Sequence, residues 1–195
     1  MGRTSRILKA CCVALVLASP VAVFGKAPSA RRAQEILPQL KTGQWIQLES
    51  VIQKNEEVRC TALRVLAGDF LDDDWSLKGR IRALDLKTRR FSIGPVSIQA
   101  SDNAVIENMR GMLDGLGDIR PGMIVEVDGT YLKNGTFRAK EIEDESAELR
   151  GVPGVNQRLA AIGKIERVDV GRRRITVMGI EFLINEKTQL KSLIR

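Results

Sequence analysis

From about residue 40 onward, apolar and polar positions mostly alternate with a period of two, the pattern of strands with one buried face. In the middle of the chain "KGRIRALDL" carries Ile81 and Ala83, "RRFSI" places Phe91 and Ile93 on one face, and "VSIQA" does the same with Val96, Ile98 and Ala100. Lys87-Thr88 and Gly94-Pro95 separate these three as turns. The period then changes to about 3.6: Val105, Met109, Met112, Leu113 and Leu116 recur at helical spacing, and Gly115 and Gly117 supply a stop, so the spacing predicts one short amphipathic helix. Two further strands follow, "MIVEVDGTYL" and "FRAKEIE", joined by Lys133-Asn134-Gly135, a hairpin signal because Asn-Gly readily takes positive φ. Ahead of all this, Ala33 to Leu40 reads as a helical turn limited by Pro38.

Three strands, a helix and two strands, all short and antiparallel by turn length, form the order of an OB-type barrel, whose closure removes exposed strand edges. The fold class is therefore mainly β, with a complete unit over 76–145. Sliding the chain on itself finds two partial copies. At an offset of 84, Gly79 falls on Gly163, Ile81 on Ile165, Asp85 on Asp169, Phe91 on Ile175 and Ile98 on Phe182. At an offset of 79, Leu116 falls on Leu37, Gly122 on Gly43, Val127 on Leu48, Asn134 on Asn55 and Arg138 on Arg59. Residues 37–68 thus supply strands four and five of a unit, and residues 160–195 supply strands one to three, with 26–36 and 146–159 as linkers. Together the halves predict a second, circularly permuted OB-like barrel. The alternative is exchange of halves between chains, giving a swapped dimer in place of the favoured monomer.

The central unit resembles the DUF5666 family of exported bacterial domains, on "GRIRALDLKTRRFSI" and "IRPGMIVEVDGTYLKNGTFRAKEIE". These carry a glycine-opened first strand, an Asp before the first turn, and a Gly-x-x-Val-x-Val-x-Gly strand. The resemblance implies a small OB-like β-barrel, and the family has no agreed biochemical activity. In the N-terminal half copy Ser50 replaces the second glycine and Glu56 the hairpin glycine, so the turn at Glu56 is expected to differ.

Residues 1–25 read as a cleaved signal peptide: Arg3, Arg6 and Lys9 precede an apolar run from Ala10 to Phe24, with Val23 and Gly25 at the cleavage site. That run, about 15 residues, is short for a membrane span of roughly 20. The expected location is the periplasm. Removing three cations lowers the formal net charge from +7 to +4. Cys11 and Cys12 leave with the leader, so Cys60 has no intramolecular disulfide partner; aligned with Ala139, it reads as a small buried apolar residue.

The sequence has no histidine, no nucleophile elbow, no phosphate-binding glycine loop and no zinc-ligand spacing, so no enzyme, metal or cofactor is expected. Asp72-Asp73-Asp74 lacks the ligand spacing of a calcium loop and reads as a solvated turn. The candidate binding residues are cations recurring at the first hairpin of two units: Lys87, Arg89 and Arg90, and Arg172, Arg173 and Arg174. Their bland reading is solubilising charge; their functional reading is contact with an envelope protein, an acidic glycan or an anionic lipid headgroup. Nucleic acid is not expected, because an exported chain with one Tyr and two Trp offers no row of stacking aromatics. The sequence thus points to a non-catalytic periplasmic binding or interaction module, or alternatively to a structural accessory or spacer for an envelope export or assembly system.

Overall fold

The computed structural model describes residues 33–191 except 69, 72, 73, 109, 110 and 114. The expected leader with Cys11 and Cys12, together with Asp72, Asp73 and Met109, lies outside them. The described chain opens with a helical turn, α1 (Ala33–Ile36), and a 3-10 turn over Leu37–Gln39 with Pro38 in its first turn. Thereafter it is built of strands: β1 (Trp45–Ile52), β2 (Val58–Val65), β3 (Trp75–Asp85), β4 (Arg90–Ile93), β5 (Val96–Asn108), β6 (Gly111–Met112), β7 (Ile124–Tyr131), β8 (Thr136–Asp144), β9 (Arg158–Lys164), β10 (Arg167–Asp169), β11 (Arg174–Val177), β12 (Ile180–Leu183) and β13 (Gln189–Leu190).

Strands β3, β4, β5, β8 and β7 close a five-stranded barrel. Each neighbour pairs in turn, β5 and β8 run parallel, and β7 returns to β3 with Trp75 opposite Gly129 and Arg80 opposite Ile124. Alternation fills it: Phe91, Ile93, Ile98, Val125, Val127, Phe137 and Ile142 are buried while Arg138 and Lys140 point out. A 3-10 turn at Leu116–Asp118 adds Leu116 and Ile119 to the buried set.

The strands at the two ends of the described chain pair with one another. β10, β11, β12, β2, β1 and β9 follow in order, and β9 runs on into β10. Ser50 faces Leu159 where Trp75 faces Gly129 in the first barrel, and Phe182 faces Val58 where Ile98 faces Phe137. The last pair shows how side-chain volume is conserved: the phenylalanine sits on the opposite strand, but one large and one smaller residue still meet. Cys60, opposite Ser50, is buried and its Sγ lies 3.1 Å from the Ala62 carbonyl oxygen; burial pushes the thiol up to about 12.

The two rings are joined through their first strands. β3 and β9 pair antiparallel, Ser76 with Ile162, Leu77 with Ala161 and Lys78 with Ala160. Adding the offset of 84 to one member of the outer pairs exchanges them, and Leu77 meets its own equivalent, so an approximate two-fold axis passes between Leu77 and Ala161. The crossing is tight on both sides. A Cβ at Gly79 would stand 2.7 Å from Ile93 Cγ2, and one at the equivalent Gly163 would run into the Trp75 indole.

Two expectations are corrected. Residues 105–108 and 111–112 are strand and not helix: β5 continues to Asn108, Val105 and Ile106 pair with Glu141 and Ile142 of β8, and β6 folds back with Glu107 opposite Met112. Helical spacing of apolar residues is overridden here by a parallel partner strand that accepts the β-branched Val105 and Ile106. The turn at Glu56 does not differ: Glu56 takes φ 64°, close to the 81° of Gly135, and the Gln53–Glu57 and Leu132–Thr136 backbone hydrogen bonds are 2.8 and 2.9 Å.

Candidate functional site

The two basic hairpins lie at opposite ends of the molecule. β3 and β9 run antiparallel away from the axis, and each leads to its own tip. An Asp organises each: Asp85 accepts from the Lys87 and Thr88 amides and the Thr88 hydroxyl, and Asp169 accepts from the Arg172 amide. Those bonds, the Thr88 hydroxyl foremost, hold the Asp85 carboxyl below its ordinary value.

Most of the tip guanidinium groups are already engaged. Arg89 donates to the carbonyls of Ser101 (2.5 Å) and Ala100 (3.4 Å), folding its side chain onto β5. Arg90 donates to Gln99 Oε1 at 2.7 Å. Arg174 bridges Glu57 at 3.3 Å and Glu181 at 3.2 Å, and Arg172 lies 4.0 Å from Asp169. Among the described residues the side chains of Lys87 and Arg173 have no such partner. The structure therefore does not gather the six cations into one site, and it commits four of them to their own ring. Beside each tip, Leu86 and Val170, at equivalent positions, are about half exposed.

A different cationic surface lies where the rings meet. A groove of about 470 Å³ runs between the β1–β2 turn, the middle of β3, the Pro121-Gly122 turn and the segment leading into β9. Its cations are Lys54, Arg80, Arg82 and Arg158, its amides Gln53, Asn156 and Gln157, and its apolar wall Ile52, Ile81 and Leu159. No carboxylate lines it. A shallower hollow of about 430 Å³ extends it past Asn55 and Arg59. Arg82 is held by Glu56 at 3.3 Å and Arg59 by Glu57 at 3.7 Å, both at the exposed rim. Among the described residues, the side chains of Lys54, Arg80 and Arg158 have no hydrogen-bond or ion-pair partner.

Local structure places these groups. Arg80 and Arg82, two apart on a strand, emerge on the same face of β3. Lys54 sits in the turn that Glu56 holds in the left-handed conformation, and Arg158 follows the 3-10 turn Val155–Gln157, entered through Gly154 at φ 69°. Sequence reading missed the groove because its residues come from separated segments and its cations from three of them, Lys54, Arg80 with Arg82, and Arg158. The available signal was the pair of arginines two apart on β3, Arg80 and Arg82.

The approximate two-fold carries the groove onto a second cleft, which is filled. The groove's Leu159 becomes Trp75 and its Ile52 becomes Tyr131, and Trp45 stands where the first barrel has the buried Ile124. Those aromatics form a stack of tilted rings, with Trp45 and Trp75 centres 5.2 Å apart and 55° between planes, Trp75 and Tyr131 5.5 Å and 44°, and Phe70 4.9 Å from Trp45 at 30°. Charge changes as well: Arg80 becomes Lys164, whose ammonium lies 5.4 Å over the Trp45 ring, while Arg82 becomes Glu166 and Arg158 becomes Asp74. Burial, aided by the Glu166 charge, raises the Tyr131 phenol.

A buried ionic cluster lies beside the axis. Lys78 on β3 contacts Glu145 and lies 3.4 Å from Glu126, which also accepts from Ser76 at 3.1 Å. One ammonium faces two carboxylates. Burial, against the opposing pull of Lys78, raises Glu145 to about 7; burial works against the Lys78 ammonium too, but the bond to Glu145 and both carboxylate charges outweigh it and raise that group. Among the described residues no group of three or more Asp, Glu, Cys or His side chains is placed to hold a metal.

No curated protein and no solved structure gives a significant match to the chain. One family does match: the profile described as "Domain of unknown function (DUF5666)" aligns with residues 78–143, which run from β3 through β8 and take in the strands of the closed barrel. Across that segment the chain is similar to the DUF5666 family.

Proposed function

We propose that the protein is a non-catalytic binding module of the periplasm, built from two OB-like barrels, and that it takes an anionic component of the cell envelope in the groove between them. The observation that carries this reading is the groove's lining: four cations, no carboxylate, and three of the cations without a partner among the described residues. Cations held along a concave wall attract anions more strongly than isolated surface charges do, because the low-dielectric protein focuses their field. The strand order of the closed barrel, one-two-three-five-four with strands three and five parallel, supports the OB-like assignment. A chain without histidine, and with a groove that brings no nucleophile beside a base, supports binding over catalysis.

The test is retention of the purified protein on washed envelope across a salt series. The Arg80→Ser/Arg158→Ser variant is expected to lose retention about tenfold, a loss of about 1.4 kcal/mol, and retention of the wild type is expected to fall with salt. Lys87→Ser/Arg173→Ser, which removes the two unengaged tip cations, is expected to leave retention unchanged. Retention that ignores both salt and the groove variant, or that follows the tip variant, contradicts the proposal.

A further inference from the structure

We infer that the groove's ligand is an acidic oligosaccharide, a run of sugar units bearing carboxylate, sulfate or phosphate groups at intervals. This rests on the groove being the anion site. Three observations bear on the ligand's chemical class.

The first is extent. A single inorganic anion fills only a small part of a 470 Å³ groove that continues into a neighbouring hollow, and a site of this size suits a ligand of several linked rings. The cations are also dispersed, from Lys54 on the β1–β2 turn to Arg80 on β3 and Arg158 at the start of β9, and nothing gathers them around one point. Spaced cations match spaced anionic groups along a chain.

The second is the polar lining between the cations. Gln53, Asn156 and Gln157 each present both a donor and an acceptor, which is what neighbouring hydroxyls of a sugar require. A ligand that offers only charge has no use for the acceptors.

The third is the absence of what other polyanions need. An extended peptide would bind by adding to a free strand edge. Where they border the groove the strands are paired: β3 pairs with β9 through Gly79, with β7 through Arg80 and with β4 from Ile81, and β9 pairs with β1 and β3. No aromatic residue lines the groove to stack a base. Its apolar wall of Ile52, Ile81 and Leu159 makes no channel of acyl-chain length.

Calorimetric titration of the purified protein with oligogalacturonates of increasing length tests the inference, with inorganic phosphate and oligoglutamates of matched charge as comparators. Affinity is expected to rise with glycan length until the groove is filled and to exceed that of the matched oligoglutamate by about tenfold. Arg80→Ser/Arg158→Ser is expected to weaken every anion. Asn156→Ala/Gln157→Ala, two exposed positions whose loss leaves the folded strands intact, is expected to weaken the glycan and spare phosphate. Oligoglutamate binding as tightly as the glycan overturns the inference in favour of an acidic peptide. Phosphate binding as tightly, with no dependence on glycan length, overturns it in favour of a compact anion. In both of those cases loss in the arginine variant still upholds the groove as the anion site. Failure of every anion to bind sinks the inference and the proposed function together.

Discussion

Equivalent strands border two clefts at the junction of the rings, one closed and the other open, and the side chains they carry there differ. On the closed side Trp75 and Tyr131 stack between the rings and Trp45 and Phe70 extend the stack. On the open side Leu159 and Ile52 hold the equivalent positions of the first two, and their smaller volume leaves a groove that Arg80, Arg82 and Arg158 line. The comparison separates two roles that near-symmetry would otherwise blur. Aromatic burial of the closed cleft stabilises the union of the rings, so the open cleft is free to carry unpaired charge.

The largest effect is expected on the closed side. Trp75→Leu removes the ring at the centre of the stack and leaves a cavity, which costs about 3 kcal/mol; thermal denaturation reads it, and a change below about 1 kcal/mol means the stack does not hold the rings together. The rings also differ in buried charge. Lys78, Glu126 and Glu145 stand where the second ring has Ile162, Gln47 and Leu66. Because Glu145 is raised from 4.5 to about 7, the folded state holds a proton that the unfolded chain has released. That stability is fully present below the unfolded value and is lost as pH rises through about 7. Its size is on the order of 2 kcal/mol, and Glu145→Gln is expected to flatten the pH dependence of denaturation over that window.

A more direct way to erase the contrast is to fill the groove. Ile52→Tyr with Leu159→Trp copies the closed side onto the open one and is expected to weaken anion binding about tenfold, or 1.4 kcal/mol, while the protein stays folded in thermal denaturation. The smallest change sharpens the contrast instead. Glu56→Gly relieves a left-handed non-glycine residue and is expected to stabilise by about 0.5–1 kcal/mol. It also releases Arg82 from the Glu56 carboxylate, so anion affinity should rise modestly; a fall in stability argues that the Glu56 turn is unstrained, and a fall in affinity that Glu56 does not hold Arg82 from the anion.

Strands were legible wherever one face is buried and the partner is antiparallel and close in sequence, as in Phe91–Ile93 against Val96–Ile98, or across the Asn134-Gly135 turn. Residues 105–108 were misread because their partner, β8, is distant and parallel, and a local period carries no information about such a partner. The hairpin arginines were legible as residues but not as bonded groups. Arg89 reaches the Ser101 carbonyl and Arg174 reaches Glu57 only through the fold. The groove was invisible for the same reason: Lys54, Arg80 and Arg158 become neighbours through the β1–β9 and β3–β9 pairings.

The central claim is that the junction groove, and not the hairpin tips, meets the anion. Amide chemical-shift mapping during titration with an oligogalacturonate tests it most directly. Saturable shifts are expected at Gln53, Lys54, Arg80, Gly94, Gly122 and Gln157, with the amides of residues 86–90 and 170–174 unmoved. Shifts confined to those tips, or spread evenly over the surface, would contradict it.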